Sequence, residues 1–277
     1  PEPFQGVIQD SASSATLAAV LTMREKALDW QGNQQGLFAQ KPLRVYCSSE
    51  VHTSIDRAIW VSGIGQKNLV RIPIKGDWRG MDPVALEAAI EADIAAGMQP
   101  AGLILCVGGT GTGATDPVDQ CLDIAEKYGL YSHIDAAWAG SAMICPEYRH
   151  YWPGVERADS IVFNPHKWLG VQFDCSAHFL KNPDDLVQTL AISPEYLKTH
   201  GKDGIINYSE WSVPLGRRFR ALKIWFVVRT YGLEGLRNRM RNHINWSTAL
   251  HDKLAATPGF EIVTPPMWSL WTFRYAP

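Results

Sequence analysis

Residues 101–135 read AGLILCVGGTGTGATDPVDQCLDIAEKYGLYSHID, and this stretch decides the fold. An apolar run, Ala101–Val107, has the length and composition of a buried strand. A glycine-rich turn follows, and Asp116-Pro117 places a capping carboxylate ahead of a proline in the first helical turn. The helix expected over Pro117–Tyr128 leads into a second strand, Leu130–Asp135, which ends on an acid. Strand, helix and strand in this order imply a parallel pair joined by a crossover helix.

The alternation extends in both directions. Further strands are expected at Leu43–Cys47, Leu69–Ile74, Ser160–Phe163 and Cys175–Leu180, and further helices at Ser14–Trp30, Thr53–Val61 and Pro83–Ala96. Leu17, Val20, Leu21 and Leu28 give the first helix an apolar stripe. Asp82-Pro83 repeats the capping pattern. The expected fold class is α/β, with a mainly parallel central sheet and helices on both faces. From Arg217 the pattern changes to a long helical run, Arg217–Ala256, punctuated by Gly232 and Gly235 and followed by Phe260-Glu261-Ile262-Val263. That reads as the start of a smaller C-terminal α+β domain, dividing the chain into residues 1–216 and 217–277. The missing initial methionine and the strand-like end Trp271–Tyr275 suggest a piece of a longer protein.

Bulk composition narrows the function classes. Lysine and arginine (26) nearly balance aspartate and glutamate (28), so no global field favours nucleic acid or an anionic membrane. Of two basic clusters, Arg237–Arg241 is expected to be a solvated helix face and Arg217–Arg220 to be structural. The five cysteines, Cys47, Cys106, Cys121, Cys145 and Cys175, form no C-x-x-C pair, which argues against a zinc knuckle or disulfide framework. No apolar run is long enough to span a bilayer and no signal-peptide pattern opens the chain, so a cytoplasmic setting is expected.

In parallel α/β sheets ligands collect at the carboxyl ends of the strands, and four groups of residues fall there. Gln9–Ser14 offers hydroxyls and free amides at a helix N-terminus, suited either to capping or to a phosphate dianion. Asp135, ending an apolar strand ahead of the small Ala136 and Ala137, needs a cation to offset its burial. A protonated pyridine nitrogen is such a cation, and Ala137 would let a flat ring lie close. Lys167, in Asn164-Pro165-His166-Lys167-Trp168 after the strand Ser160–Phe163, points to the same mouth and could form an imine once neutral. His52 could stack on an aromatic cofactor. Together the four groups supply a phosphate cradle, a stacking face, a ring-nitrogen partner and an imine lysine, which is the set that pyridoxal 5′-phosphate (PLP) requires.

A rival pattern overlaps them. Gly109-Thr110-Gly111-Thr112-Gly113-Ala114 fits the dinucleotide fingerprint G-x-G-x-x-A, with Asp135 some distance on as a ribose acid. That fingerprint needs a helix starting inside the glycines, whereas Asp116-Pro117 restarts the helix after them. The glycine run is better read as close backbone passage beside the ring, with the Thr110 hydroxyl near the 3′-oxygen of the cofactor.

Five stretches, Gly6–Ala15, His133–Pro146, Asn164–Leu169, Phe173–Ala177 and Pro214–Phe219, resemble the group II PLP-dependent decarboxylases of the aromatic-L-amino-acid type, and the similarity covers essentially the whole chain. The resemblance implies a fold-type I homodimer of nearly twice this length, acting on tryptophan, tyrosine or Dopa. It implies that Lys167 carries the cofactor as a Schiff base, Asp135 pairs with the pyridinium, His52 stacks on the ring and Ala137 packs on the other face. It places Ser11, Ala12, Ser13 and His166 at the phosphate, with Asn164 as a neighbour. Thr110 matches a family threonine, while Gly109 stands where family members carry another. Ile192–Leu197 resembles the mobile loop of the family, whose tyrosine, here Tyr196, reprotonates the substrate carbon in the neighbouring subunit's site. Phenylalanine there accompanies aldehyde-forming relatives, so Tyr196 favours plain decarboxylation. An aldehyde-forming enzyme and a PLP-binding fragment inactive on its own are the alternatives.

Overall fold

The computed structural model describes residues 4–192 and 206–277. Strand β1 (Gln5–Gln9) precedes helix α1 (Ala12–Ala27), followed by β2 (Leu43–Ser48), α2 (Ser54–Val61), β3 (Leu69–Ile72), α3 (Pro83–Ala95), β4 (Gln99–Cys106), α4 (Val118–Lys127), β5 (Tyr131–Asp135), β6 (Ser160–Phe163), β7 (Ser176–Leu180) and α5 (Pro183–Leu190). The seven strands form one sheet in the order β1-β7-β6-β5-β4-β2-β3. From β3 to β6 all pairings are parallel, while β7 runs antiparallel to both β6 and β1. The expected strands are all present, and β1 is one the sequence pattern did not announce. The β3 strand stops two residues short of expectation because Pro73 cannot donate to the ladder.

Side chains alternate across the sheet and divide the interior in two. Val45, Cys47 and Ile104 pack with Val20, Met23, Ile55 and Ile59 of α1 and α2. Tyr46, Leu103, Leu105 and Ile134 face the other way, onto Leu86 and Ile90 of α3 and Cys121, Leu122 and Ala125 of α4. Helix α1 is buried more fully than its leucine stripe implied. Ala15, Ala18 and Ala19 are wholly enclosed while Leu17 and Leu21 are half-buried, so small residues let the helix lie close on the strands.

Asp82 caps α3 as expected, its Oδ1 accepting from the Val84 N–H at 3.0 Å. Asp116 does not cap α4. Buried, it accepts instead from the N–H groups of Met81 (2.7 Å) and Cys106 (2.6 Å), tying strand ends together. Helix α4 nevertheless starts beyond the glycine run, at Val118, which removes the dinucleotide geometry.

The long helix α6 (Ala221–Ala255) breaks at Gly232, where φ is +64°. Its second half docks Leu236 and Met240 into the interior. The cluster Arg237–Arg241 is not the solvated face expected of it. Arg237 donates to the Ile144 carbonyl, Arg239 to the Leu169 carbonyl and Arg241 to Glu147. Arg217 reaches the Ile8 carbonyl and Ser212, and Arg220 pairs with Asp174 at 3.0 Å. After α6, β8 (Phe260–Ile262) and β9 (Phe273–Tyr275) form a separate antiparallel pair. All five cysteines are buried and unpaired. Among the described residues no helix is long and apolar enough to cross a membrane.

Candidate active site

The carboxyl ends of β4, β5 and β6 and the start of α1 surround one cavity of about 270 Å³. Ser11, Ala12, Ser13, His52, Thr110, Asp135, Ala137, Asn164, His166 and Lys167 all line it. The residues singled out as a cofactor set thus come together from five separate stretches of chain. Tyr196 lies outside the described residues. Size does not mark this cavity: an apolar cleft of about 610 Å³ beside Phe4 and Leu233 is larger, but among the described residues that line it only Arg149, Glu156 and Arg237 are ionisable.

At one end, Ser11 is the extended residue before α1, and its Oγ accepts from the Ser14 N–H at 3.3 Å. The serine therefore does cap the helix. The first-turn amides of Ala12 and Ser13 have no partner within the helix and sit at its positive end. At the floor, Asp135 is 6% exposed and accepts the Ala137 N–H at 3.0 Å. Among the described residues it makes no ion pair. Burial raises its pKa, and the Ala137 bond, Lys167 and His52 offset this only in part. A carboxylate enclosed in this way favours a cation placed against it.

The lysine stands in a turn rather than on the strand. Asn164 donates its N–H to the Ala137 carbonyl at 2.8 Å, and the Lys167 N–H returns to the Asn164 carbonyl at 2.9 Å. This brackets the turn between the ends of β5 and β6. The Asn164 side-chain oxygen is buried and unpartnered among the described residues, leaving an acceptor beside the cavity. His166 accepts the Cys175 N–H on Nδ1 at 2.8 Å, which leaves the ring proton on Nε2. Burial, then Lys167, lowers its pKa. His52 is likewise held through Nδ1, accepting the Ser54 N–H at 3.1 Å.

Six lining residues were not among those expected to hold the cofactor: Ser54, Cys106, Gly108, Gly109, Trp138 and Phe173. Phe173 lies in a stretch whose resemblance was noted, and its ring leans on His166 at 4.6 Å. Gly108 has φ +77°, and a β-carbon there would overlap Ala139. A β-carbon at Gly109 would stand 3.2 Å from the Glu50 carbonyl oxygen and 3.3 Å from the Cys106 Sγ. Glycine at position 109 keeps the backbone clear of both atoms. Trp138 both lines the cavity and packs, stacked on Trp168 at 4.9 Å.

The enclosed Asp135 carboxylate, the Lys167 amine, the helix-end amides and the unpartnered amide oxygen of Asn164 fit a flat, anionic cofactor with a basic ring nitrogen. Comparison with known proteins agrees. The profile of the pyridoxal-dependent decarboxylase conserved domain matches residues 2–276. Tyrosine decarboxylase 2 of Arabidopsis thaliana is 42% identical over 98% of this chain and 50% of its own length. Phenylacetaldehyde synthase of the same plant is 40% identical over 100% of this chain and 58% of its own. The crystal structure of Oryza sativa TDC with PLP and tryptamine superposes with a TM-score of 0.91 at 36% identity, covering 98% of this chain and 56% of that one. The chain spans about half the length of the curated relatives it matches.

Proposed function

Because this chain belongs to the family of pyridoxal-dependent decarboxylases, we propose that it binds PLP and serves the decarboxylation of an aromatic L-amino acid to its amine and CO2. The observation that carries the reading is the convergence of Asp135, Lys167 and the α1 N-terminus on one cavity. Bound there, the cofactor supplies an electron sink for the pair released when the carboxylate leaves.

The residues divide the work. Asp135 holds a proton at the ring nitrogen; at contact and an effective dielectric near 20 the gross attraction is about 5 kcal/mol before desolvation. Lys167 would hold the cofactor through its Nζ. Ser11, Ala12 and Ser13 would bind the phosphate through hydroxyls and amides, with the Nε2–H of His166 as a further donor lining the same cavity. His52 and Ala137 would cover the two ring faces and Thr110 would bind near the 3′-oxygen, while Asn164 fixes the lysine turn. Tyr196 delivers the proton to the substrate carbon from the neighbouring subunit. The exposed apolar side chains of α6, among them Trp225, Phe226 and Tyr231, support the homodimer this requires. We assign residues 217–277 to a second domain and the protein to the cytoplasm.

A second reading, oxidation of the amino acid by O2 and water to an aldehyde, CO2, ammonia and hydrogen peroxide, is favoured by the similarity to a phenylacetaldehyde synthase. One experiment separates them. The intact protein, loaded with PLP, is given tryptophan, tyrosine, phenylalanine and Dopa, and products are identified by mass spectrometry. Amines establish decarboxylation and rank the substrates; aldehydes overturn the part given to Tyr196. Lys167→Ala abolishes turnover, and full activity in that variant refutes the scheme.

A further inference from the structure

Two tryptophans connect the cofactor cavity to the long helix. Trp138 lines the cavity, and its indole stacks on Trp168 with centroids 4.9 Å apart and planes at 20°. Trp168 directly follows Lys167 and is 7% exposed. Its Nε1–H donates to Nδ1 of His243 on α6 at 2.9 Å. One turn earlier on that helix, Arg239 donates to the Leu169 carbonyl at 3.1 Å. Positions 239 and 243 share a helix face, so the helix grips the two residues after Lys167 from one side. Gly170 completes the fit, because its φ is +80° and a β-carbon there would overlap the Arg239 guanidinium.

We propose that His243 is a positioning residue for the active site: by holding the Trp168 indole against Trp138, it fixes both a wall of the cofactor cavity and the reach of Lys167. The hydrogen bond orients the indole about its long axis, which stacking alone leaves free to slide. Since Nδ1 accepts, the imidazole carries its proton on Nε2 and the bond is between neutral groups. An asparagine oxygen can take the place of Nδ1; leucine fills the space without an acceptor. The inference rests on Lys167 being the cofactor lysine.

The test compares His243→Asn and His243→Leu in the intact, PLP-loaded protein. Two readouts respond to positioning rather than to stability: the exciton band of the stacked indoles in circular dichroism, and retention of PLP on dialysis. His243→Leu should weaken the exciton band and loosen PLP about fivefold, the equivalent of one neutral hydrogen bond. His243→Asn should restore both. An unchanged band and unchanged retention in His243→Leu overturn the proposal, as does an Asn variant no better than Leu. Should His243→Leu fail to fold, Trp168→Phe removes the donor and keeps a ring; undiminished PLP retention there also overturns it. Borohydride reduction and peptide mapping of the parent protein separate the two readings: a label on another lysine defeats the part given to Lys167, whereas the proposal for His243 fails only in the variants.

Discussion

Replacing His178 by methionine should stabilise the protein and flatten its response to acid. His178 sits on β7 with no exposed surface, and neither ring nitrogen has a partner among the described residues. Its ring meets that of His133 edge-on at 5.9 Å. His133 is better served, with Ser160 on Nδ1 and Thr16 at 3.4 Å from Nε2. Methionine is close to histidine in volume and brings no hydrogen-bonding demand, so the change should add about 1–3 kcal/mol at neutral pH by removing unpaired polar atoms. The pH dependence is a separate quantity. Burial holds the pKa of His178 at about 4, against 6.5 in the unfolded chain. Between those values the unfolded state binds the proton and the folded state does not, so stability falls as pH falls. Each pH unit is worth about 1.4 kcal/mol, and the penalty is complete at about 3 kcal/mol near pH 4. Asp116 works in the opposite direction: burial raises it to about 6, so the folded state gains protons first as pH drops. Comparing parent with variant cancels that contribution. Urea unfolding at steps from pH 7.5 to 4 should give a difference that is flat above pH 7 and widens in the variant's favour below 6.5. Parallel curves for the two proteins would refute the argument. A gain missing at pH 7 with the slope retained would mean that ordered water serves the ring.

Other substitutions address the site and its frame. Gly109→Thr should destabilise by about 1–3 kcal/mol through crowding of Cys106 and the Glu50 carbonyl; combining it with Cys106→Ala should recover part of the loss in thermal unfolding. Asp135→Ala should leave the cofactor-free protein folded, because its burial is unfavourable to the charge, yet lower the turnover of the PLP-loaded enzyme by several orders of magnitude; a near-normal rate would remove the electron-sink argument. Asp82→Ala should lower stability by about 1 kcal/mol through loss of the α3 cap, read from the urea midpoint.

The parts of the site that could be read in the sequence are those whose chemistry is costly anywhere else. An aspartate at the end of an apolar strand stands out because burial without a partner is unfavourable, and a lysine between histidine and tryptophan stands out by its place after a strand's carboxyl end; the structure sets both in the lining of one cavity. The alternation of strands and helices was legible for a similar reason, since each crossover carries its own periodicity. What escaped depends on partners distant in sequence. The short β1, QGVIQ, has little strand character, and only its pairing with β7 makes it a strand. Asp116 reads as a helix cap until Met81 and Cys106 are brought beside it. The arginines of α6 look solvated until the helix folds back onto the carbonyls of Ile144 and Leu169. No local pattern encodes such pairings.

The antiparallel strand β7 has a kinetic meaning. The serine turn that opens α1 follows β1 near the start of the described residues, and the lysine turn follows β6; β7 lies between these strands and pairs with each. Gln9, just before that first turn, is in register with Ser176. This is among the least local contacts in the sheet, and closing so long a loop comes at an entropic disadvantage that slows its formation. The two ends of the cofactor site should therefore meet late in folding, after the parallel strands have assembled. The first appearance of tight PLP binding during refolding would then mark completion of the sheet, making the cofactor a chemical clock for the final pairing.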